Sequence, residues 1–321
     1  MNILGIDVSK KDFHAALVQE NRVAKKSFSN SQKGFDQLVT WLGNRKAGNV
    51  LACMEATGAY WEALATHLYD AGHQVAVVNP RRIKAFGESE LVRTKTDATD
   101  AALIARFAAT QRPDLWEPLP AEIRELQGFS RHLEFLKNSR AQHLVRVQTP
   151  GLPAAVQVSE QQIIAEFDGQ IQRFEQTIRD HVDRHPGLKA KRELLESIPG
   201  IGEVSSAVIL SEIPTIEEFR DGNAVAAYAG LCPRLHQSGV FRGKTKLSKI
   251  GNPRLRKALF YPAMVAKVHN PTLRAFATNL HAAGKTKMAI IGALMRKLLV
   301  LAYGVLKSGR PYDPNFTASP S

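Results

Sequence analysis

The chain has 321 residues, with 43 Lys and Arg against 30 Asp and Glu, a formal net charge of +13, and only two cysteines. Two cysteines exclude a disulfide framework and a Cys-rich zinc site, and suit a reducing cytoplasm. Hydrophobic and charged fractions of 44% and 23% are ordinary for a soluble globular protein, and the excess of cations favours a polyanionic partner.

The cations are unevenly placed. Residues 1–110 carry 14 basic and 11 acidic side chains, residues 111–190 carry 10 and 11, and residues 191–321 carry 19 and 8. From Gly222 through Tyr312 there are 16 Lys and Arg and no Asp or Glu. So long a stretch without a carboxylate is not a mixed-charge solvated surface. It reads as a domain built against phosphates.

In chain order, Asn2–Val8 is a short apolar strand with no signal peptide before it. Phe13–Gln19 and Val23–Ser29 flank Glu20-Asn21-Arg22 as a hairpin. Lys33–Leu42 has helical spacing through Phe35, Leu38, Val39 and Leu42. Val50–Glu55 is a strand, and Gly58 opens a helix over Tyr60–Ala71, with Tyr60 and Trp61 assigned to core packing. Gln74–Asn79 is a strand ended by Pro80, and Ala98–Ala109 is a helix. Three antiparallel strands followed by crossover units predict an α/β sheet with mixed strands.

The middle changes character. Ile164, Phe167, Ile171, Phe174, Ile178 and His181 follow one another at heptad-seam spacing. Leu126, Phe129, Leu133, Leu136, His143 and Val147 give a rougher stripe on an earlier helix. Thr149-Pro150-Gly151-Leu152-Pro153 separates the two, which predicts a helical hairpin or pairing with another protomer. The last third reads as helical over Leu194–Ile213, Ala224–Ala229, Asn252–His269, Pro271–Ala283 and Thr286–Ser308, around a Gly- and Ser-rich basic loop from Pro233 to Gly251. Met288–Leu306 is the longest apolar stretch, and Arg296 and Lys297 in its middle fit a buried amphipathic helix better than a membrane span. The fold class is α/β plus mostly α, with domains at 1–112, 118–188 and 189–321: a sheet domain, a central helical hairpin or coiled coil, and a basic helical domain.

Four carboxylates follow or interrupt apolar segments. Asp7 ends the first strand, Glu55 ends the strand Val50-Leu51-Ala52-Cys53-Met54, and Asp97 and Asp100 open a helix on one face. Asp-x-x-Asp alone is more often an N-cap with a first-turn acid. Brought together, the four would repel without a cation, and hard ions such as Mg²⁺ take oxygen ligands. Two such ions can polarise a phosphodiester. An acid after strand one, another after strand four and a pair on a late helix resemble the RNase H-like (RuvC-like) fold of Holliday-junction resolvases.

Gly5-Ile6-Asp7-Val8-Ser9-Lys10, Glu55-Ala56-Thr57-Gly58, Val78-Asn79-Pro80 and Lys95-Thr96-Asp97-Ala98-Thr99-Asp100-Ala101 are similar to the DEDD-type insertion-sequence transposases, described as bridge-RNA-guided DNA recombinases. The resemblance runs from the first strand to about Tyr312. It implies that Asp7, Glu55, Asp97 and Asp100 bind Mg²⁺ or Mn²⁺, that donor and target DNA and a guide RNA are partners, and that the bacterial protein acts at the nucleoid. Synapsis of two duplexes further suggests a dimer or tetramer, with the coiled-coil region as the contact.

Two C-terminal segments bear on the same chemistry. Glu196-Ser197-Ile198-Pro199-Gly200-Ile201-Gly202 reads as the hairpin of a helix-hairpin-helix, where the N–H groups around Gly200 and Gly202 can dock a phosphate; a plain Gly-capped turn is the alternative. In the basic loop, Ser238 is followed by Gly239, which is also ordinary turn chemistry. A free hydroxyl needs a base or a metal to become a nucleophile, and His236 is the one obvious base nearby. The resemblance implies that Ser238 attacks the scissile phosphate, activated by the carboxylate site, which requires the two regions to meet within a chain or across protomers. Ser248 and Thr245 fit phosphate hydrogen bonding, and Arg242, Lys244, Lys246, Lys249, Arg254 and Arg256 are the expected backbone contacts. The alternatives are a two-metal nuclease or junction resolvase using water, an actin-like phosphotransferase, which would need a second phosphate loop, and a non-catalytic nucleic-acid binder.

Overall fold

The computed structural model describes residues 2–20, 22–56, 58, 60–90, 97–213, 215–234, 237–238, 241–242 and 246–314, those at 97, 98, 237, 238, 241, 242 and 246 by their backbone only. The chain separates into two compact units, Met1–Pro118 and Leu119–Ser321. The long helical pair predicted between the outer domains belongs to the second unit.

The first unit is a five-stranded mixed sheet carrying helices on both faces. Its elements are β1 (Asn2–Val8), β2 (Asp12–Gln19), β3 (Arg22–Ser29), α1 (Gln32–Asn44), β4 (Val50–Glu55), α2 (Glu62–Asp70), β5 (Gln74–Val78), α3 (Pro80–Ser89) and α4 (Asp97–Gln111). The order is β3-β2-β1-β4-β5, with β1, β2 and β3 antiparallel and β1, β4 and β5 parallel. Alternation assigns the two faces. Leu4, Ile6, Phe13, Ala15 and Leu17 point to one side, where Phe35, Leu38 and Leu42 of α1 and Leu64 and Leu68 of α2 complete a core. Leu51, Cys53, Ala76 and Val78 point to the other, against Ile83 of α3 and Leu103, Ile104 and Phe107 of α4. Trp61 packs edge-on against Trp116 at 5.6 Å, whereas Tyr60 beside it is exposed, not core as the sequence suggested.

Helix α3 is an addition to the sequence-based order. Asn79 caps it, its side chain accepting the Arg81 N–H at 2.9 Å, and Pro80 occupies the first turn, where a missing N–H costs nothing. The same Pro80 that ends the strand therefore starts a helix.

In the second unit α5 (Ala121–Val147) and α6 (Ala154–Arg184) form an antiparallel hairpin. At one end Leu126, Phe129 and Leu133 meet Phe174, Ile178 and Val182. Toward the other end polar pairs take over: Lys137–Glu175 at 2.7 Å, Arg140–Asp168 at 2.5 Å, and His143 and Arg146 on the buried Glu160 at 2.6 and 2.9 Å. The heptad seam is thus closed within the chain. Beyond it come α7 (Pro186–Glu196), α8 (Glu203–Glu212), α9 (Gly222–Tyr228), α10 (Pro253–Ala258), α11 (Phe260–His269), α12 (Pro271–Ala282) and α13 (Lys287–Ser308). The helix predicted over Leu194–Ile213 is broken, because Pro199 and Gly200 interrupt it between α7 and α8. Helix α13 has the length and composition of a membrane span, yet Leu294, Leu298, Leu299 and Ala302 lie in the core. Arg296 in its middle donates to Asn223 Oδ1 at 2.7 Å, and Lys297 lies over the Phe276 ring.

Candidate functional site

The carboxylate positions are built by the first unit. In the parallel pairing of β1 and β4, Gly5 faces Cys53 and Ile6 faces Met54. One residue further on, Asp7 and Glu55 stand at neighbouring strand ends, on the face that carries Gly5 and Cys53. Both are half-buried.

Helix α4 is pressed onto this face at Gly5. A Cβ there would lie 2.1 Å from the Ala101 carbonyl oxygen and 2.3 Å from the Ala105 nitrogen. Only glycine permits that approach. Residue 97 starts α4, one helical turn before Ala101, and Asp100 in the same first turn is half-buried. Asp7 and Glu55 thus stand side by side at the ends of β1 and β4, on the sheet face on which α4 packs. Among the described residues no group of three or more His, Cys, Asp or Glu is close enough to hold a metal ion, the side chain of Asp97 being outside them. An all-carboxylate donor set fits a hard, oxygen-seeking cation.

Two neighbours complete this surface. Cys53 lies two residues before Glu55, fully buried, and burial pushes its thiol up to about 12 despite the nearby Arg82. His14 is the direct cross-strand partner of Asp7 in the β1–β2 pairing and is half-buried. Sequence reasoning passed over it, although the tight Ser9-Lys10-Lys11-Asp12 connection, closed by Ser9 N–H to Asp12 O at 2.9 Å, fixes the count.

The second unit holds the remaining candidates. The basic loop is a ribbon of short strands: β6 (Pro233–Arg234) pairs with β9 (Lys246–Leu247), and β7 (Gln237–Ser238) pairs with β8 (Phe241–Arg242), Ser238 opposite Phe241. The side chains of Ser238, Arg242 and Lys246 are outside the described residues, as are His236, Lys244 and Thr245 altogether. Past the ribbon, Ser248 is half-buried and its Oγ accepts the Ile250 N–H at 3.3 Å. Lys249 is exposed, with a φ of 55°. Arg254 is exposed and 3.7 Å from Glu134, a carboxylate it shares with Lys257 at 2.9 Å. Arg256 is half-buried and gives one N–H to the Ala229 carbonyl at 2.9 Å.

At the α7–α8 hairpin, Gly200 has a φ of 111°, and a Cβ would fall 2.5 Å from the Ala266 Cβ and 2.8 Å from the Pro262 carbonyl of α11. Its glycine is required by packing. Gly202 caps α8 and is exposed, but its N–H already donates to Ser205 Oγ at 3.0 Å. The acid at the helix start, Glu203, is held by Arg179 at 2.6 and 2.8 Å. A phosphate docking here would use the first-turn N–H groups of α8.

Comparison with known proteins adds a separate finding. Residues 4–149 match the family model of the DEDD transposases of IS110, and residues 192–278 match the model described as transposase, IS116/IS110/IS902 family. The pilin gene-inverting protein of Moraxella lacunata is 34% identical over 314 residues, 97% of each chain. Its counterpart in Moraxella bovis is 33% identical over the same span and coverage. The transposase for insertion sequence element IS1111A of Coxiella burnetii is 23% identical over 300 residues, 84% of this chain and 79% of its own.

Proposed function

The chain belongs to the IS110 family of DEDD-type transposases and is a DNA transposase, and from that premise we propose that it cuts and rejoins strands through a covalent phosphoserine at Ser238. Asp7, Glu55, Asp97 and Asp100 hold a divalent cation, Mg²⁺ or Mn²⁺. The observation that carries the reading is the seating of α4 on Gly5, on the sheet face where β1 and β4 end in Asp7 and Glu55. The RNase H-like assignment of the first unit rests on the same arrangement. Bound there, the cation supplies charge neutralisation at the phosphate and lowers the pKa of a coordinated oxygen.

In the first step Ser238 Oγ gives up its proton and attacks the scissile phosphorus, the phosphorus–oxygen bond to one deoxyribose breaks, and the departing oxygen takes up a proton. In the second, a deoxyribose hydroxyl of another strand attacks the phosphoserine and releases the serine. Bond count is conserved, so no nucleotide hydrolysis is needed. The same two steps would serve movement of an element and inversion of a segment, the activity for which the Moraxella relatives are named. Gly200, Gly202, Arg242, Lys244, Lys246, Ser248, Lys249, Arg254 and Arg256 supply the backbone contacts in this reading, supported by the absence of any Asp or Glu from Gly222 to Tyr312. A guide RNA held by its shape and phosphates fits the same basic stretch and leaves sequence choice to base pairing. A dimer or tetramer acting at the nucleoid would use the far part of the α5–α6 hairpin, where Phe135, Val145 and Val158 are exposed.

Strand cleavage of the element's end DNA, with the flanking non-coding RNA and Mg²⁺, tests the reading with single substitutions Asp7→Asn, Glu55→Gln, Asp97→Asn and Asp100→Asn. Each is expected to lower cleavage by at least about 10²-fold, the scale for losing an electrostatic group aimed at the reacting phosphate. Cleavage at the wild-type rate in all four would place the chemistry elsewhere. Cleavage that needs the four acids and survives Ser238→Ala would identify a water-using two-metal nuclease.

A further inference from the structure

In the row that holds Asp7 and Glu55, β2 places His14 and β3 places Ser27 on the same sheet face. In the antiparallel pairing of β1 with β2, Asp7 and His14 are directly opposed. Directly opposed residues project from the same face with Cβ atoms about 4.5–5.5 Å apart. Phe13, the residue before His14, is fully buried in the core against α1 and α2. His14 therefore faces the other way, toward the side on which α4 lies. Glu55 stands beside Asp7 on the third strand. His14, Asp7 and Glu55 thus form a row across β2, β1 and β4, at the sheet end where α4 begins. Further along β2 the positions sharing this face are Ala16 and Val18, small and apolar. His14 breaks that pattern at the one register position that adjoins Asp7.

From this row we infer that His14 is a positioning residue of the carboxylate site: its ring N–H holds the Asp7 carboxylate in the orientation a bound cation needs. The inference rests on the reading that Asp7 is a cation ligand. A carboxylate beside an imidazole is a strong acceptor for its N–H. Groups that orient a ligand typically cost about 10- to 100-fold in metal affinity when removed. β4 flanks β1 on the side away from β2, and its Glu55 is a carboxylate, an acceptor that cannot take over the imidazole's donor role.

The test is Mn²⁺ binding to the full chain, followed by electron paramagnetic resonance of the free ion, so that no DNA or activity enters the readout. Four proteins are compared: wild type, Asp7→Asn, His14→Gln, which keeps an N–H donor, and His14→Phe, which keeps the ring's bulk. Tryptophan fluorescence during urea unfolding reports the stability of the first unit in each. The expected result is loss of Mn²⁺ binding in Asp7→Asn, a dissociation constant raised about 10- to 100-fold in His14→Phe, and one within about threefold of wild type in His14→Gln, at comparable stability of the two His14 variants. Equal affinity in His14→Gln and His14→Phe, with Asp7→Asn still defective, would overturn the inference and leave the carboxylate reading standing. Wild-type affinity in Asp7→Asn, or no Mn²⁺ binding by the wild type, would remove the carboxylate reading and the inference with it.

Discussion

Replacing Gly5 with Ala tests how the sheet seats the helix that starts at Asp97. The added Cβ would lie 2.1 Å from the Ala101 carbonyl oxygen, so α4 must retreat by about 0.9 Å to bring that contact to 3.0 Å, the limit real carbons tolerate. A second contact, 2.3 Å to the Ala105 nitrogen, forbids escape by sliding along the helix axis. Overpacking of this kind costs about 1–3 kcal/mol. For a unit of this size that corresponds to a fall in Tm of roughly 4 °C per kcal/mol. The assay is favourable because Trp41, Trp61 and Trp116 all lie in the first unit. Tryptophan fluorescence during urea unfolding therefore reads the first unit alone. Displacing the start of α4 by nearly 1 Å should also lower strand cleavage by about 10²-fold, as misplacement on that scale does elsewhere. A Gly5→Ala protein within about 0.5 kcal/mol of wild type, or one that cleaves normally, would refute the argument that this contact sets the site.

Other consequences follow from the same structure. Gly200→Ala strains a backbone at φ 111° and drives a methyl into α11, so it should cost more than about 1 kcal/mol; circular dichroism should register the loss while tryptophan fluorescence does not. Cys53, with its thiol pushed up to about 12, should be thiolate in only roughly one molecule in 10⁴ at pH 8. A disulfide reagent should then titrate at most one thiol, Cys232, in the folded chain and both cysteines in guanidinium. Lys249→Ala and Arg254→Ala should each reduce the salt dependence of DNA binding by about one counterion, measured as the slope of log affinity against log salt. Arg256→Ala should act mainly on stability, since its guanidinium already serves the Ala229 carbonyl.

Much of the first unit could be read from alternation and spacing. The short apolar runs Asn2–Val8 and Val50–Glu55 put Asp7 and Glu55 at strand ends, and their order along the chain suggested a shared site. What spacing could not supply was contact across elements. Gly5 looked like part of a strand-end motif, and its role as the seat of α4 depends on a helix nearly 100 residues later. His14 was invisible for a related reason: its pairing with Asp7 follows from register, which a one-residue slip would have reversed. The hairpin seam of α5 and α6 was legible as a heptad pattern, but that pattern cannot say whether its partner is in the same chain. The Pro233–Gly251 region was read as a loop because strands of two residues leave no period to detect. Pro80 was read only as a strand end because the Asn79 cap makes a helix start of it only once the backbone turns.

The covalent step is the centre of the account, and one measurement addresses it most directly. The protein is incubated with Mg²⁺, the element's end DNA and its flanking non-coding RNA, and intact-mass spectrometry and a denaturing gel then look for DNA attached to the chain. The account predicts an adduct on the peptide containing Ser238, absent in Ser238→Ala and in Asp7→Ala. Strand cleavage with no adduct, undiminished by Ser238→Ala, would contradict it and leave Ser238 as a residue of the ribbon.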